Sequence, residues 1–418
     1  MTPRLPAHLL SFHVSPDSGD FDEENYDMRN GRSKLAVLAA IPLLAAACSS
    51  GGDTSGDGSG GGGDLSASLT GAGASFPDPL FQDWIYTYSN DVQPGVSINY
   101  QSVGSGAGTE QFLEQTVDFG SSEEFLGEED LTAAAEARGC EAVQFPVVFG
   151  AVVIAFNNPA LDGLVLDAET IAAIYDRQIT TFDDPAIAEL NPDMELPGDE
   201  IIPVHRSDSS GTTYVFSHYL STEVDSWADK YGEGKEIEWA DGLVGGQQND
   251  GVAQGITQNP GGIGYVNQSF AQEADLSVAQ IVNEDGNPIE PTLESTIAAS
   301  EEAEVPENFQ FSIDNIGGEG YPIAGSNWIF TYTCGYEQAN ADAIIDFWTW
   351  ALTDQGARDL AGELGYAPLG EELTDRVIAE LEKTNSENGG GDAGAEEEAG
   401  AGEGAEESPS PEAEATTE

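Results

Sequence analysis

The chain has 418 residues, with 12 Lys and Arg against 76 Asp and Glu, a formal charge of −64. That balance excludes a general nucleic-acid binder and argues against attraction to anionic lipid, because both need a basic footprint. With 39% hydrophobic residues there is material for a sizeable core, and the length suggests two or more domains once non-globular ends are set aside. A surface this acidic repels anions at long range, so any anion it holds must be held by short-range hydrogen bonds.

From Met28 the chain reads Arg29, Arg32 and Lys34, an apolar run over residues 35–44, then Ala45, Ala46, Ala47 and Cys48. A positive start, a short apolar stretch and small residues make a secretory signal. The run is too short for a comfortable membrane span. The cysteine resembles a bacterial lipoprotein box, with Ala45 where leucine is more usual, so Cys48 is the expected lipidation site; a plain signal peptide with an incidental cysteine is the alternative. Residues 1–27 are a poor signal start, so residues 1–48 read as an upstream extension plus signal, with translation expected to begin at Met28. Residues 49–64, half of them glycine, read as a flexible linker. No Lys or Arg follows Lys383, and residues 384–418 read as a disordered acidic tail.

The body over residues 65–383 repeats one local grammar. A short strand feeds a glycine turn, Ser75, Phe76 and a helix whose first turn contains Pro77. Residues 96–103 alternate like a strand, pass through Gly104, Ser105 and Gly106, and lead to a helix over 110–116. Residues 201–204 form a third strand, ahead of Arg206, Asp208, Ser210, Gly211 and Thr212 and an apolar-periodic helix. Strands alternating with helices indicate α/β architecture, with ligands expected where strands end and helices begin. A helix start with Ser and Thr caps, free N–H groups and a positive dipole end is an anion site. The competing reading is an ordinary capped helix whose Arg206 pairs with Asp208.

Cys140 precedes a strand over 143–149, and Cys334 follows an aromatic, β-branched one. In an exported chain this suggests a disulfide, against the alternative of two buried thiols. Chemistry is thinly supplied. Only His205 and His218 follow Met28, no spacing fits a zinc motif, and Gly234-Lys235 lacks the upstream glycine of a P-loop. A hydrolase pair of His205 with Ser209 or Ser210 lacks an orienting partner. Neither an enzyme, a metal site nor a cofactor is expected.

The stretches GAGASFP (71–77), YQSVGSG (100–106), DFGSSE (118–123) and RSDSSGTT (206–213) together resemble the phosphate-binding protein of bacterial phosphate ABC importers. QFPVVFG (144–150), Ile174-Tyr175 with DPAI (184–187), and GGIGYV (261–266) extend the likeness in order across residues 65–383. The resemblance implies a two-lobed periplasmic-binding-protein fold of type II with two crossover strands as hinge. Lobe 1 would take residues 65–149 and 321–383, and lobe 2 residues 150–320, so that Cys140 and Cys334 share a lobe. It implies phosphate contacts from Ser75, Phe76, Ser105, Arg206, Ser210, Gly211 and Thr212, with Asp208 orienting Arg206. At Glu123 the family usually has aspartate, a carboxylate that accepts a hydrogen bond from a protonated phosphate oxygen; glutamate keeps that chemistry with one more methylene, or points away and alters selectivity. The implied function is extracytoplasmic capture of phosphate by a lipid-anchored monomer that delivers it to a membrane permease. The alternatives are a surface adhesion or sensing protein on the same fold, or a binder of a related oxyanion such as sulfate or arsenate.

Overall fold

The computed structural model describes residues 65–314 and 316–388. The expected start at Met28, Cys48 with its signal, the linker 49–64 and the tail from residue 389 onward lie outside the described residues.

Two sets of strands follow the same plan. In the first, β1 (Ala67–Gly73) runs parallel to both β2 (Val96–Ser102) and β3 (Phe119–Ser122). Next in sequence is β4 (Ala142–Phe156), whose 15 residues, AVQFPVVFGAVVIAF, are buried from the second onward. A near-continuous apolar run of this kind suits a strand covered on both faces. β5 (Val165–Leu166) leads into the second set, where β6 (Ile202–Arg206) runs parallel to both β7 (Val244–Gly246) and β8 (Gly262–Asn267). After β9 (Ser277–Val278), β10 (Gln280–Val282) and β11 (Pro288–Ile289) come β12 (Ala324–Tyr332) and β13 (Ala367–Pro368).

The main sheet has the order β2-β1-β3-β12-β4-β8-β6-β7, with β9 and β13 also on β4, while β5, β10 and β11 form a small separate sheet. In each half the middle strand is parallel to its neighbours and an antiparallel crossover strand closes the set: β12 against β3, β4 against β8. β4 belongs to both halves. Residues Ala142–Ala151 pair with β12 and residues Val152–Phe156 pair with β8. The chain leaves one lobe through β4 and returns to it through β12, which is the two-lobed α/β arrangement with crossover strands as hinge. The expected change of lobe at residues 149–150 falls within β4, which continues through it.

Several boundaries differ from the expected ones, for physical reasons. The helix expected over 110–116 is Ser105–Leu113, so Ser105 sits in its first turn. Its glycines serve contact rather than looseness: a Cβ on Gly108 would lie 2.2 Å from the Gly73 Cα, so only glycine lets this helix rest on β1. β6 extends to Arg206, placing that residue at the strand's end rather than after it. Pro77 is the N-cap of the helix Asp78–Thr87, not part of its first turn. The ordered body also passes Lys383. Thr384 and Asn385 are buried, and the N–H groups of Asn385 and Glu387 donate to the Tyr332 and Thr333 carbonyls, each at 2.9 Å.

Each half has its own aromatic core. Phe81, Tyr100, Phe119 and Trp348 meet edge to face or stacked under the first, and Tyr175, Phe216, Trp239 and Tyr265 fill the second. Cys140, beside the start of β4, is bonded to Cys334, beyond the end of β12, with their Cα atoms 6.0 Å apart. The bridge joins residues 194 apart in sequence. Replacing both with alanine should lower the free energy of unfolding by about 3 kcal/mol, read from the urea midpoint. An unchanged midpoint would show that the bridge does not constrain the unfolded chain.

Candidate functional site

Helix starts from both halves meet where β4 and β12 cross. The first half supplies Ser75 after β1, Ser105 at the head of the helix Ser105–Leu113, and Glu123 after β3. The second supplies Arg206 at the end of β6 and Ser210, Gly211 and Thr212 at the head of the helix Gly211–Glu223. Ser75, Phe76, Ser105, Glu123, Arg206, Ser210 and Thr212 are all at most 3% exposed.

The structure brings these groups within reach of one another. Arg206 Nε donates to Asp208 Oδ1 at 2.9 Å and Nη2 donates to Oδ2, while Nη1 donates to Thr212 Oγ1 at 3.1 Å. The guanidinium is thus fixed by a two-pronged carboxylate grip, a geometry only arginine makes. Burial alone would raise Asp208, but the hydrogen bonds from Arg206 outweigh it and hold the carboxyl below its usual range. The Arg206 N–H donates to the Tyr265 hydroxyl, which also bonds Thr213, so the second aromatic core sets where the arginine begins.

Glu123 lies opposite. Ser105 Oγ donates to its Oε2 at 3.0 Å, and Asn327 Nδ2 donates to Oε1 at 3.1 Å. Burial pushes this carboxyl up to about 7, against the lowering influence of Ser105, Arg206 and Asn327. A Cβ on Gly211 would lie 2.0 Å from Glu123 Oε2 and 2.6 Å from Ser105 Oγ, so the second half's helix start is seated against the first half's carboxylate. The longer glutamate side chain therefore turns inward. Ser210 has a supporting place: its Oγ caps the helix by accepting from the Thr213 N–H at 3.1 Å. Phe76 is buried with its carbonyl bonded by the Tyr366 hydroxyl, which fixes the loop carrying Ser75.

Four residues to which the sequence reading assigned no place at the site complete it. Asn249, near the head of the helix Gln248–Gln258, donates through Nδ2 to Ser75 Oγ at 3.0 Å and to Thr212 Oγ1 at 3.2 Å, linking the halves. The Gln248 N–H donates to Asp208 Oδ1 at 3.0 Å. Their signal is present in the sequence, as β7, ending in Gly246, then Gln247 and a helix start repeat the grammar seen three times before. Asn327 is an isolated amide within the buried strand β12. Lys235 Nζ reaches Glu124 Oε2 at 2.6 Å, an ion pair between the halves, and its carbonyl accepts from the Ser210 N–H. Of the eight Lys and Arg among the described residues, two therefore stand at this cleft.

Chemically, the site offers hydroxyl and first-turn N–H donors, one anchored guanidinium, and one buried carboxyl among them. Among the described residues no cluster of His, Cys, Asp and Glu could hold a metal ion. Two lobes of this strand order, with helix starts converging between them, define a periplasmic-binding-protein fold, and residues 53–355 match the family described as the PBP superfamily domain. The chain is 35% identical over 317 residues to the phosphate-binding protein PstS of Pasteurella multocida, an alignment covering 75% of this chain and 89% of that one. To the phosphate-binding protein PstS of Methanocaldococcus jannaschii it is 35% identical over 327 residues, covering 72% and 82%. The chain belongs to the PstS family of phosphate-binding proteins.

Among solved structures, a high-affinity periplasmic phosphate-binding protein, PfluDING, bound with phosphate, superposes with a TM-score of 0.63 at 21% identity, covering 75% of this chain and 93% of that one. A phosphate-binding protein from Stenotrophomonas maltophilia gives 0.57 at 20% identity, covering 75% and 94%. At such identities these two speak for the fold alone.

Proposed function

We propose that the chain captures inorganic phosphate outside the cytoplasm and delivers it to an ABC permease, as a binding protein rather than an enzyme. The observation that carries this reading is the pairing, in one buried site, of an anchored guanidinium with a carboxyl that accepts hydrogen bonds. Phosphate near neutrality bears at least one proton, and sulfate bears none. An anion at the site would receive hydroxyl donors from Ser75 and Thr212, backbone donors from Phe76 and Gly211, and Arg206. Ser105 would join them once its one proton turns from Glu123 to the ion, whose own O–H would donate to Glu123 in place of Ser105. Ser210 would act through the helix cap and Asp208 through Arg206. Sulfate has no proton to give Glu123 and would face its charge, and a site built on such a proton rejects the analogue by several orders of magnitude. Directed dipoles in a dry site offset the incomplete charge neutralisation by one arginine. The signal-like amino end with Cys48 supports export and lipid anchoring, and the naming of the relatives as binding proteins supports a permease partner.

Calorimetric titration of the purified chain with phosphate, arsenate and sulfate tests this. Tight binding of phosphate with sulfate silent at about pH 8.5 is expected. Absence of heat from phosphate, or equal affinity for all three, would end the reading. The ion pair across the cleft adds a kinetic expectation. Lys235→Met removes a tie made only when the halves meet, so phosphate release in stopped flow should quicken by about tenfold with the association rate little changed. An unchanged release rate would show that the pair does not hold the cleft shut.

A further inference from the structure

The carboxyl that meets the anion is held from behind by Asn327. This residue sits in β12 where pairing with β4 shifts register between Asn327 and Trp328, an irregularity of the kind that re-aims a side chain. Its Nδ2 donates to Glu123 Oε1 at 3.1 Å, and its Oδ1 accepts from Ser121 Oγ at 3.0 Å. Asn327, Ser121 and Ser105 are 0% exposed and Glu123 1%. An amide nitrogen can only donate, and with Oδ1 engaged by Ser121 the amide cannot turn over without losing both bonds. A donor fixed in this way favours the carboxylate over the acid.

We propose that Asn327 is the positioning residue that favours Glu123 as an acceptor, and thereby sets the pH above which the site takes only proton-bearing tetrahedral oxyanions and below which it also takes fully deprotonated ones such as sulfate. The inference rests on the phosphate reading of the site. A protonated Glu123 donates its O–H to a sulfate oxygen. The contact then holds one proton between carboxyl and anion, as the contact of the carboxylate with protonated phosphate does. Burial places the Glu123 changeover at about 7, within ordinary buffers. The charged and titratable groups facing it are Arg206 with its partner Asp208, the buried phenols of Tyr100 and Tyr366, Glu124 with its partner Lys235, and Tyr214 and His218, which line a crevice with Glu123 along β12. His218 is the one imidazole among these groups, so His218→Gln is the control.

The test is the sulfate affinity of the full chain by calorimetry from about pH 5.5 to 9, where sulfate itself gains no proton and the profile reports the protein. In the wild type, affinity should fall by at least about tenfold across a midpoint near 7. Asn327→Leu should move that midpoint up by about one pH unit, the size expected for one lost hydrogen bond to a buried charge. Asn327→Asp keeps the acceptor for Ser121 and sets a second carboxyl against Glu123. That pair should retain a proton and bind sulfate even at about pH 8.5. Glu123→Gln should bind sulfate with a flat profile, and His218→Gln should superimpose on the wild type. If Asn327→Leu fails to fold, Asn327→Asp decides. The inference is overturned if phosphate binds while wild type and Asn327→Asp reject sulfate at every pH, if the Asn327→Leu profile lies on that of the wild type, or if His218→Gln removes the transition. Failure of the wild type to bind phosphate would instead strike the function itself.

Discussion

Arg206→Ala should weaken phosphate binding by at least about a thousandfold, or about 4 kcal/mol. Two effects add. The site loses its anchored guanidinium, and Asp208, which accepted from Nε and Nη2, is left without a counter-charge beside the anion, keeping only the Gln248 N–H. Removing Asp208 as well should restore part of the loss, because the second effect then disappears while the first remains. Arg206→Lys should recover little, since an ammonium cannot bond Asp208 at two points and Thr212 at a third. Equilibrium dialysis against labelled phosphate reads these differences. A loss smaller than about tenfold for Arg206→Ala would place the anion elsewhere.

Gly211→Val should cost as much by a different route. Glycine is needed there for closeness alone: a Cβ would lie 2.0 Å from Glu123 Oε2 and 2.7 Å from Glu123 Cβ. Glu123 cannot swing aside, because it is fully buried and bonded by Ser105 and Asn327. The added methyl groups must therefore hold the halves apart, leaving donors of one lobe too far from an anion on the other. Phosphate affinity should fall by at least about a thousandfold. The melting temperature without phosphate should change by only a few degrees, because the clash exists only when the lobes meet. Intact affinity in Gly211→Val would mean that closure brings no contact at this point; loss of fold would mean that the halves meet even without ligand.

The fold was legible because its grammar is local. Strand, short turn and helix start recur around Ser75, Ser105 and Arg206, and each repeat ends where a strand finishes and a helix begins. What the sequence obscured arises from long-range contact. Gly106 and Gly108 read as turn residues, yet they lie inside a helix, because close packing, of Gly106 against Ser209 and of Gly108 against β1, and not backbone looseness selects them. Asn249 follows a strand of three residues, too short to show a period, and its role appears only when the halves close on Ser75. Asn327 is one amide in a fully buried strand, and nothing in sequence indicates that a register shift turns it toward a carboxyl 204 residues away. Glu123 and Glu124 are adjacent and chemically alike in sequence; the structure sends one inward to Ser105 and the other across the cleft to Lys235.

A chain with a formal charge of −64 that captures an anion must rely on donors shielded from solvent, and the dependence of phosphate affinity on salt examines that directly. Between about 0.05 and 1 M sodium chloride, the dissociation constant should stay within about threefold, drifting if anything toward tighter binding as the protein's own repulsion is screened. A weakening of about tenfold or more over that range would contradict the account, because it would mean that exposed charge, not the buried site of Ser75, Ser105, Glu123 and Arg206, holds the ion.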